Sequence, residues 1–319
     1  MIQFLVKRLI GLVFVVICVT FITFIMGYFA PGDPIRNLLG SHYTLQNYLR
    51  LKHYYGLDKP FLQQYLSYLY NLLHGNLGLS IIQEGRPVWD MLRTGVPVST
   101  ELALWALVIQ VIVGVPLGIL SALKANSWID TTIMGIMLVF YAIPPFVLAV
   151  FVQVIVVLID QHTGINWPVS NWGTPWQYTP SDIQLKLLPI LVFAALGMAY
   201  IARLARTSML EVLQQDYVRT ARAKGMPERV VVYRHAFRNA LIPLLTILGL
   251  SIGLLVTGAF FIETIFNVPG IAQATITAVD TRDYPVIQGT TVLLAVAVVI
   301  GNLLSDLFYT MADPRIRLE

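Results

Sequence analysis

The chain has few charges, one cysteine and no paired histidines, and each shortage excludes something. Charged residues make up 12% of 319 positions against 57% hydrophobic, where a soluble domain carries roughly 25% charged. An ordinary soluble fold is excluded, and the chain is better counted in membrane crossings of about 20 apolar residues each. Cys18, the single cysteine, lies inside the first apolar run, which excludes an intramolecular disulfide and a thiolate metal site. His42, His53, His74, His162 and His235 have no i, i+4 pairing and no cysteine companions, so zinc spacings are missing and no metal is expected. The phosphate-cradling pattern GxxxxGK[ST] is absent, and Gly78-Leu79-Ser80-Ile81-Ile82 lacks the closing glycine of a nucleophile elbow. No catalytic constellation is present.

The apolar runs are themselves poor in ionisable groups. Gln110, Gln153 and Asn302 are their polar content, with Glu101, Arg203, Glu263 and Asp306 close to their ends. Carriers driven by protons or ions normally hold carboxylates or histidines deep in the membrane, because those groups carry the coupled charge. A secondary transporter is therefore disfavoured. A chain with many crossings, no relay and no nucleotide loop is expected to receive its energy from another subunit.

What is present is a set of six runs: about Leu9 to Phe29, Leu102 to Leu123, Ile133 to Ile159, Leu187 to Ile201, Leu241 to Ile262 and Val286 to Phe308. The fold class is all-α, a polytopic membrane protein. The first run follows a short basic head ending at Lys7-Arg8; a signal peptide is the rival reading, but its apolar region would be about 7–15 residues. Pro31-Gly32-Asp33-Pro34 ends that helix. Residues 1–98 then form the first span with an extracytoplasmic region, 99–308 the core with a cytoplasmic loop at 207–240, and 309–319 a cytoplasmic tail. Within the outer region, Leu57 to Leu73 reads as an amphipathic helix with Phe61, Tyr65, Leu66, Leu69 and Leu73 near helical spacing. That face either packs on the membrane part or serves for docking. Trp167, Trp172, Trp176 and Tyr178, between Asp160 and Lys186, read as interfacial anchors, with contact to a soluble partner as the alternative.

Pro116, Pro144 with Pro145, Pro189 and Pro243 fall inside four of the runs, which membrane helices tolerate when neighbours satisfy the freed carbonyls. Thirteen of the 21 Lys and Arg residues fall on one side when both termini are placed inside, and six of the other eight lie in the long outer segment, where charge counts for less. The localisation read from this is a cell membrane, multi-pass, with cytoplasmic termini.

Basic character concentrates in one place. From Arg203 to Arg238 there are eight Lys or Arg and three acids, and the net charge of the whole chain is +4, so the remainder is near neutral and no nucleic-acid partner is expected. Asp216 reads as an N-cap, Gly225 as the closing residue and Pro227 as the start of a second short helix. Val218, Ala221 and Gly225 at i, i+3 and i+7 form a face with little side chain, open to a partner's groove. Arg219 and Arg222 flank it as electrostatic partners, with Glu228 of the same chain as a competing partner for Arg219. His235 reads as a packing or hydrogen-bonding residue.

The stretch Arg219-Thr220-Ala221-Arg222-Ala223-Lys224-Gly225 resembles the cytoplasmic EAA motif of ABC importer permeases, in the form found in the peptide, nickel and glutathione group. Arg219 stands where the general motif has glutamate, and the downstream Leu-Pro corresponds to Ile242-Pro243. Pro31-Gly32-Asp33-Pro34, Gly56-Leu57-Asp58-Lys59-Pro60, Gly75-Asn76-Leu77-Gly78 with Ser80, Glu263-Thr264-Ile265-Phe266 with Pro269-Gly270, Asp283-Tyr284-Pro285 and Asp313-Pro314-Arg315 extend the resemblance over nearly the whole chain. Ala272 stands where the family often has glycine. The resemblance implies a type I importer permease fold, in a B-type permease that forms half of the pathway for di- or oligopeptides. A nickel complex or glutathione is the alternative cargo. It implies a homologous C-type permease, two cytoplasmic ATPases holding ATP and Mg, an extracytoplasmic binding protein and surrounding lipid, with no cofactor bound directly. By the same resemblance, Asp216, Tyr217, Arg219, Thr220, Ala221, Arg222, Lys224, Gly225 and Met226 couple to an ATPase. Glu263, Phe266, Pro269 and Gly270 are the candidate outer gate, with Glu263 alternatively a helix-end charge reaching water.

Overall fold

The computed structural model describes residues 2–241, 243–245 and 259–312. In chain order the helices are α1 (Ile2–Phe29), α2 (Pro34–Leu39), α3 (Leu45–Tyr54), α4 (Phe61–Leu73), α5 (Val88–Leu123), α6 (Trp128–Ala142), α7 (Pro145–Thr163), α8 (Pro180–Leu213), α9 (Asp216–Ala223), α10 (Glu228–Val230, continuing as a π-helical segment Val231–Phe237), α11 (Phe260–Ile265), α12 (Ile271–Thr281) and α13 (Tyr284–Ala312). No strand occurs among the described residues. Among the described residues, five helices are long and apolar enough to cross a membrane: α1, α5, α7, α8 and α13. Most of the run read as Leu241 to Ile262 lies outside the described residues.

The run read as one span from Ile133 to Ile159 is two helices. Pro144 and Pro145 are the cause: the residue before a proline is driven out of the α region, and Ile143 and Pro144 are both extended, with ψ of 124° and 143°. Pro145 then opens α7 from its first turn, where a missing N–H costs nothing. Both α6 and α7 pack on α8. By contrast, Pro189 sits inside an unbroken α8 and Pro116 inside an unbroken α5.

The chain forms two compact units, one of residues 1–99 and 269–299, the other of 100–268 and 300–319. In the first, α4 lies on α1 through an aromatic cluster: Phe61 and Tyr65 meet Phe21, Phe24 and Tyr28. The Tyr65 hydroxyl reaches the Ile17 carbonyl at 3.3 Å. Phe61 and Tyr65 therefore pack on a membrane helix, while Leu66 and Leu73 of the same predicted face remain exposed. Residues 269–299 join this unit by polar ties. The buried Asp283 carboxylate accepts from the Ser80 hydroxyl and, at 3.1 Å, from the Ile81 amide. Ser99 accepts from the Ile271 amide at 2.9 Å. Asp283 precedes α13 as its sequence position suggests, but its side chain serves the loop between α4 and α5.

The second unit is built on the contact of α5 with α8. Gly114 and Gly118 are spaced as in a GxxxG pattern, which lets backbones approach closely. A Cβ on Gly118 would strike the Ala202 carbonyl and the Ala205 methyl, and one on Gly114 would lie 3.0 Å from the Met198 carbonyl. Above this seam a buried ion pair joins the same helices: Lys186 Nζ donates to Glu101 Oε1 at 2.8 Å. The remaining valences are filled from the loop before α8. Lys186 also donates to the Thr174 and Gln177 carbonyls at 2.8 and 2.7 Å, and Glu101 Oε2 accepts from Trp172 Nε1 at 3.1 Å and from the Trp176 amide at 2.9 Å. Trp172 is fully buried, which corrects its reading as an interfacial anchor: its indole N–H is consumed by a carboxylate.

Removing one member of such a pair strands the other charge, at a cost of about 3–5 kcal/mol. Lys186→Met is accordingly expected to destabilise the fold by about that much and to expose Trp172. Detergent unfolding followed by tryptophan emission checks this; a loss under about 1 kcal/mol, the level of an exposed pair, would contradict the desolvated pairing.

Candidate functional site: the corner between α8 and α10

At the end of α8 the chain turns at Gln214 and Gln215 into α9. Gln215 occupies the N-cap of α9 and makes no side-chain cap bond. The capping role read for Asp216 is thereby corrected: the Gln215 carbonyl already accepts from Val218 and Arg219 at 3.0 and 3.2 Å, so the helix begins one residue earlier. Asp216 is its first residue, with a fully solvated carboxylate that favours the positive helix end.

The other end closes as expected. Gly225 has φ of +74°, a region where a Cβ is penalised. Its amide donates to the Arg222 carbonyl at 2.9 Å and the Met226 amide to the Ala221 carbonyl at 3.4 Å, the paired bonds of a Schellman closure. Pro227 caps α10 from just outside it, and Glu228 is the first helical residue.

The small face is turned the other way from the sequence reading. Val218 and Ala221 are buried against Val231, with Val212 and Leu213 of α8 beside them. The apolar stripe of a short polar helix is what it buries, and here it forms the corner's own core; Ala221 offers nothing to a partner. Turned outward are Tyr217, Arg219, Thr220, Lys224 and Met226. Space beside Gly225 is open, since a Cβ there would meet nothing within 4 Å.

Competition for Glu228 is won by Arg222, which donates to it through Nη2 at 2.7 Å and Nε at 3.3 Å. Arg219 is left 3.8 Å from Asp216 on its own helix. Tyr217 accepts from Asn239 Nδ2 at 2.7 Å, tying α9 to the segment that follows the π-helical turn. Such turns are uncommon and concentrate at functional sites; this one buries Val231, Val232 and Ala236. Nε2 of His235 within it is buried without a hydrogen-bond partner among the described residues.

The four outer candidates are not gathered in one unit. Glu263 and Phe266 belong to the second unit and are fully buried, which corrects the reading of Glu263 as a charge reaching water. The carbonyl of Phe266 accepts from the Asn171 amide at 2.8 Å. Pro269 and Gly270 belong to the first unit, where Gly270 precedes α12 and lies 2.9 Å from where a Cβ on Gly95 would sit. Ala272 is helical in α12 and buried.

One pair near the C-terminal end of α8 has no local sequence signal. Arg206 binds Asp130 of α6 through Nε and Nη2, both at 2.7 Å. The partners are 76 residues apart, and a count of basic residues records Arg206 only as charge.

The bond from Arg222 holds the Glu228 carboxyl below its ordinary value near 4.5. A depressed carboxylate contributes stability above the unfolded value and loses it as pH falls through the lower, folded one. Both side chains are well exposed, so the contribution is expected to be under about 1 kcal/mol and to shrink with salt. Protection factors of the α9 amides, taken relative to the intrinsic exchange rate at each pH, should fall in the wild type below pH about 4.5, and Glu228→Gln should remove that step.

Residues 114–318 match the family described as binding-protein-dependent transport system inner membrane component, and residues 1–103 match its N-terminal companion family. The dipeptide transport system permease protein DppB of Bacillus subtilis is 38% identical over 322 residues, covering 100% of this chain and 99% of that protein. DppB of Escherichia coli K12 is 36% identical, covering 99% of both. The di/tripeptide permease DppB of Pseudomonas aeruginosa is 38% identical over 99% of both. Among solved structures, an inward-facing form of the MetNI methionine ABC transporter shares the fold, with a TM-score of 0.55, 16% identity, and coverage of 70% of this chain and 96% of that one. With both halves of the chain matched and its whole length aligned, the protein belongs to the family of inner-membrane permease components of binding-protein-dependent transport systems.

Proposed function

We propose that this permease carries di- or oligopeptides inward, forming half of the pathway beside a homologous permease and taking its energy from ATPase subunits that hold ATP and Mg. The observation that supports it best is similarity at 36–38% identity, over nearly the full length, to permeases named for dipeptides in three bacterial species. An extracytoplasmic binding protein delivers the substrate. Both termini and the α9 corner face the cytoplasm, in keeping with thirteen of the 21 basic residues falling on that side.

Coupling falls to the outward side of α9. Tyr217, Arg219, Thr220, Lys224 and Met226 contact an ATPase, Gly225 supplies the turn that presents them, Ala221 holds the corner together from within, and Arg222 braces it at the surface through Glu228. Closure of the ATPases then moves the corner as a body and switches the pathway between its two openings.

Thr220→Trp enlarges the outward face without touching the corner's core. It is expected to leave membrane insertion intact and to lower ATPase co-purification and peptide uptake in reconstituted vesicles at least tenfold, the scale of one lost contact of about 1.4 kcal/mol. Unchanged uptake by this variant would overturn the coupling assignment, and wild-type assemblies that import no peptide would overturn the substrate class.

A further inference from the structure

α8 is buried around most of its circumference, and the positions left exposed over its inner half are Tyr200, Arg203, Thr207 and Glu211, at i, i+3, i+7 and i+11. A stripe facing lipid is apolar, as on α7, where Phe151, Val154, Ile155 and Leu158 are the exposed side chains. A polar stripe on a membrane helix belongs against water or a pathway.

Beside the stripe, α6 and α8 enclose a cleft of about 590 Å³ lined by Asp130, Thr131, Leu138, Tyr141, Arg203 and Arg206. Its charges are unequal. The Asp130 carboxylate is filled by Arg206, the Ser121 hydroxyl and the Asn126 amide, so that pair is neutral. Arg203 has no carboxylate within ion-pair distance among the described residues; its guanidinium carbon lies 4.4 Å from the centre of the Tyr141 ring. It stands 17 residues beyond Lys186, about 25 Å at 1.5 Å per residue, and therefore near the inner edge of the apolar core. A cation held there without a counter-charge is costly, and such residues mark functional positions. Seated against an aromatic ring, a guanidinium keeps its in-plane N–H groups free for a two-pronged bond to a carboxylate.

We propose that the α8 stripe lines the aqueous route on its cytoplasmic side and that Arg203, positioned by Tyr141, receives the C-terminal carboxylate of the peptide in transit. The proposal rests on the peptide-importer reading. Every linear peptide carries that carboxylate whatever its side chains, so one cation serves a mixed set of substrates.

Cys18 is the single cysteine of this chain, so a Cys18→Ser background allows single cysteines on it to be read in the assembled transporter once its subunits are separated after labelling. Tyr200→Cys and Thr207→Cys are expected to react with membrane-impermeant thiol reagents from the cytoplasmic side, and Ile155→Cys on α7 is not. At Thr207→Cys an anionic reagent should outpace a cationic one about tenfold, with Arg203→Gln abolishing the preference and Arg203→Lys keeping it. A dipeptide should slow this labelling, and its C-terminal amide should not. Arg203→Gln should lower peptide uptake about tenfold, the loss of one charge-assisted bond. Unreactive cysteines at 200 and 207 would place the route elsewhere. Equal protection by peptide and amide would remove the carboxylate role. Reagent preference that follows the anionic lipid content of the vesicle would assign Arg203 to a phospholipid phosphate instead. Should the wild type import no peptide while the labelling pattern holds, the substrate reading fails and the route along α8 stands.

Discussion

Close approach of α5 to α8 is the constraint on which the second unit depends. In lipid there is no hydrophobic force to press two apolar helices together, so association rests on packing and on polar ties between them. Gly114 and Gly118 remove side chains where the Met198, Ala202 and Ala205 positions come nearest, and Ala199, Ala202 and Ala205 are almost wholly buried. Any larger residue at Gly118 would push against backbone, which has nowhere to move. With the seam closed, α8 is fixed at both ends by charge: Lys186 to Glu101 at one, Arg206 to Asp130 at the other. Neither pair is free of cost, since desolvating two ions offsets much of their attraction. Their value is positional: the Lys186–Glu101 pair is completed from the loop before α8, and the Arg206–Asp130 pair from Ser121 at the end of α5 and Asn126 in the turn after it.

A fixed α8 gives the corner something to be fixed to. Val212 and Leu213 from its last turn share a core with Val218, Ala221 and Val231, so α9 is held to α8 by burial as well as by the chain. A force on the exposed side of α9 then reaches α8 directly, without first deforming a loop. Arg222 and Glu228 stiffen the turn between α9 and α10, and their exposure keeps them a local brace.

Much of this arrangement was legible in the sequence where the signal is local. Hydropathy finds the apolar stretches of α1, α5, α7, α8 and α13, the Pro144-Pro145 pair sits where the third run breaks, and Gly225 stands where its positive φ is needed. What was not legible depends on partners far apart in the chain. Glu101 with Lys186 and Asp130 with Arg206 are separated by 85 and 76 residues, and a charge near a span end looks the same whether it meets water or a counter-ion. The inward turn of Val218 and Ala221 is a different failure. Periodicity finds a distinct face of a helix, but a face of small apolar residues suits a partner's groove and the chain's own core equally, and only the position of Val231 decides between them. Trp172 belongs to the same class, since an aromatic near a membrane surface has two homes.

The break at Pro144 separates two halves with different attachments. α6 carries Asp130 and is tied through it to the C-terminal part of α8. α7 carries Gln153, whose amide donates to the Val169 and Ile265 carbonyls at 2.8 and 2.9 Å, and is tied to the loop before α8 and to α11. A continuous helix would force both sets of contacts to move together. The missing backbone hydrogen bonds at two successive prolines remove that requirement. Tyr141 lies at the end of α6 next to the break, so its distance from Arg203 is set by the half that Asp130 ties to the C-terminal part of α8.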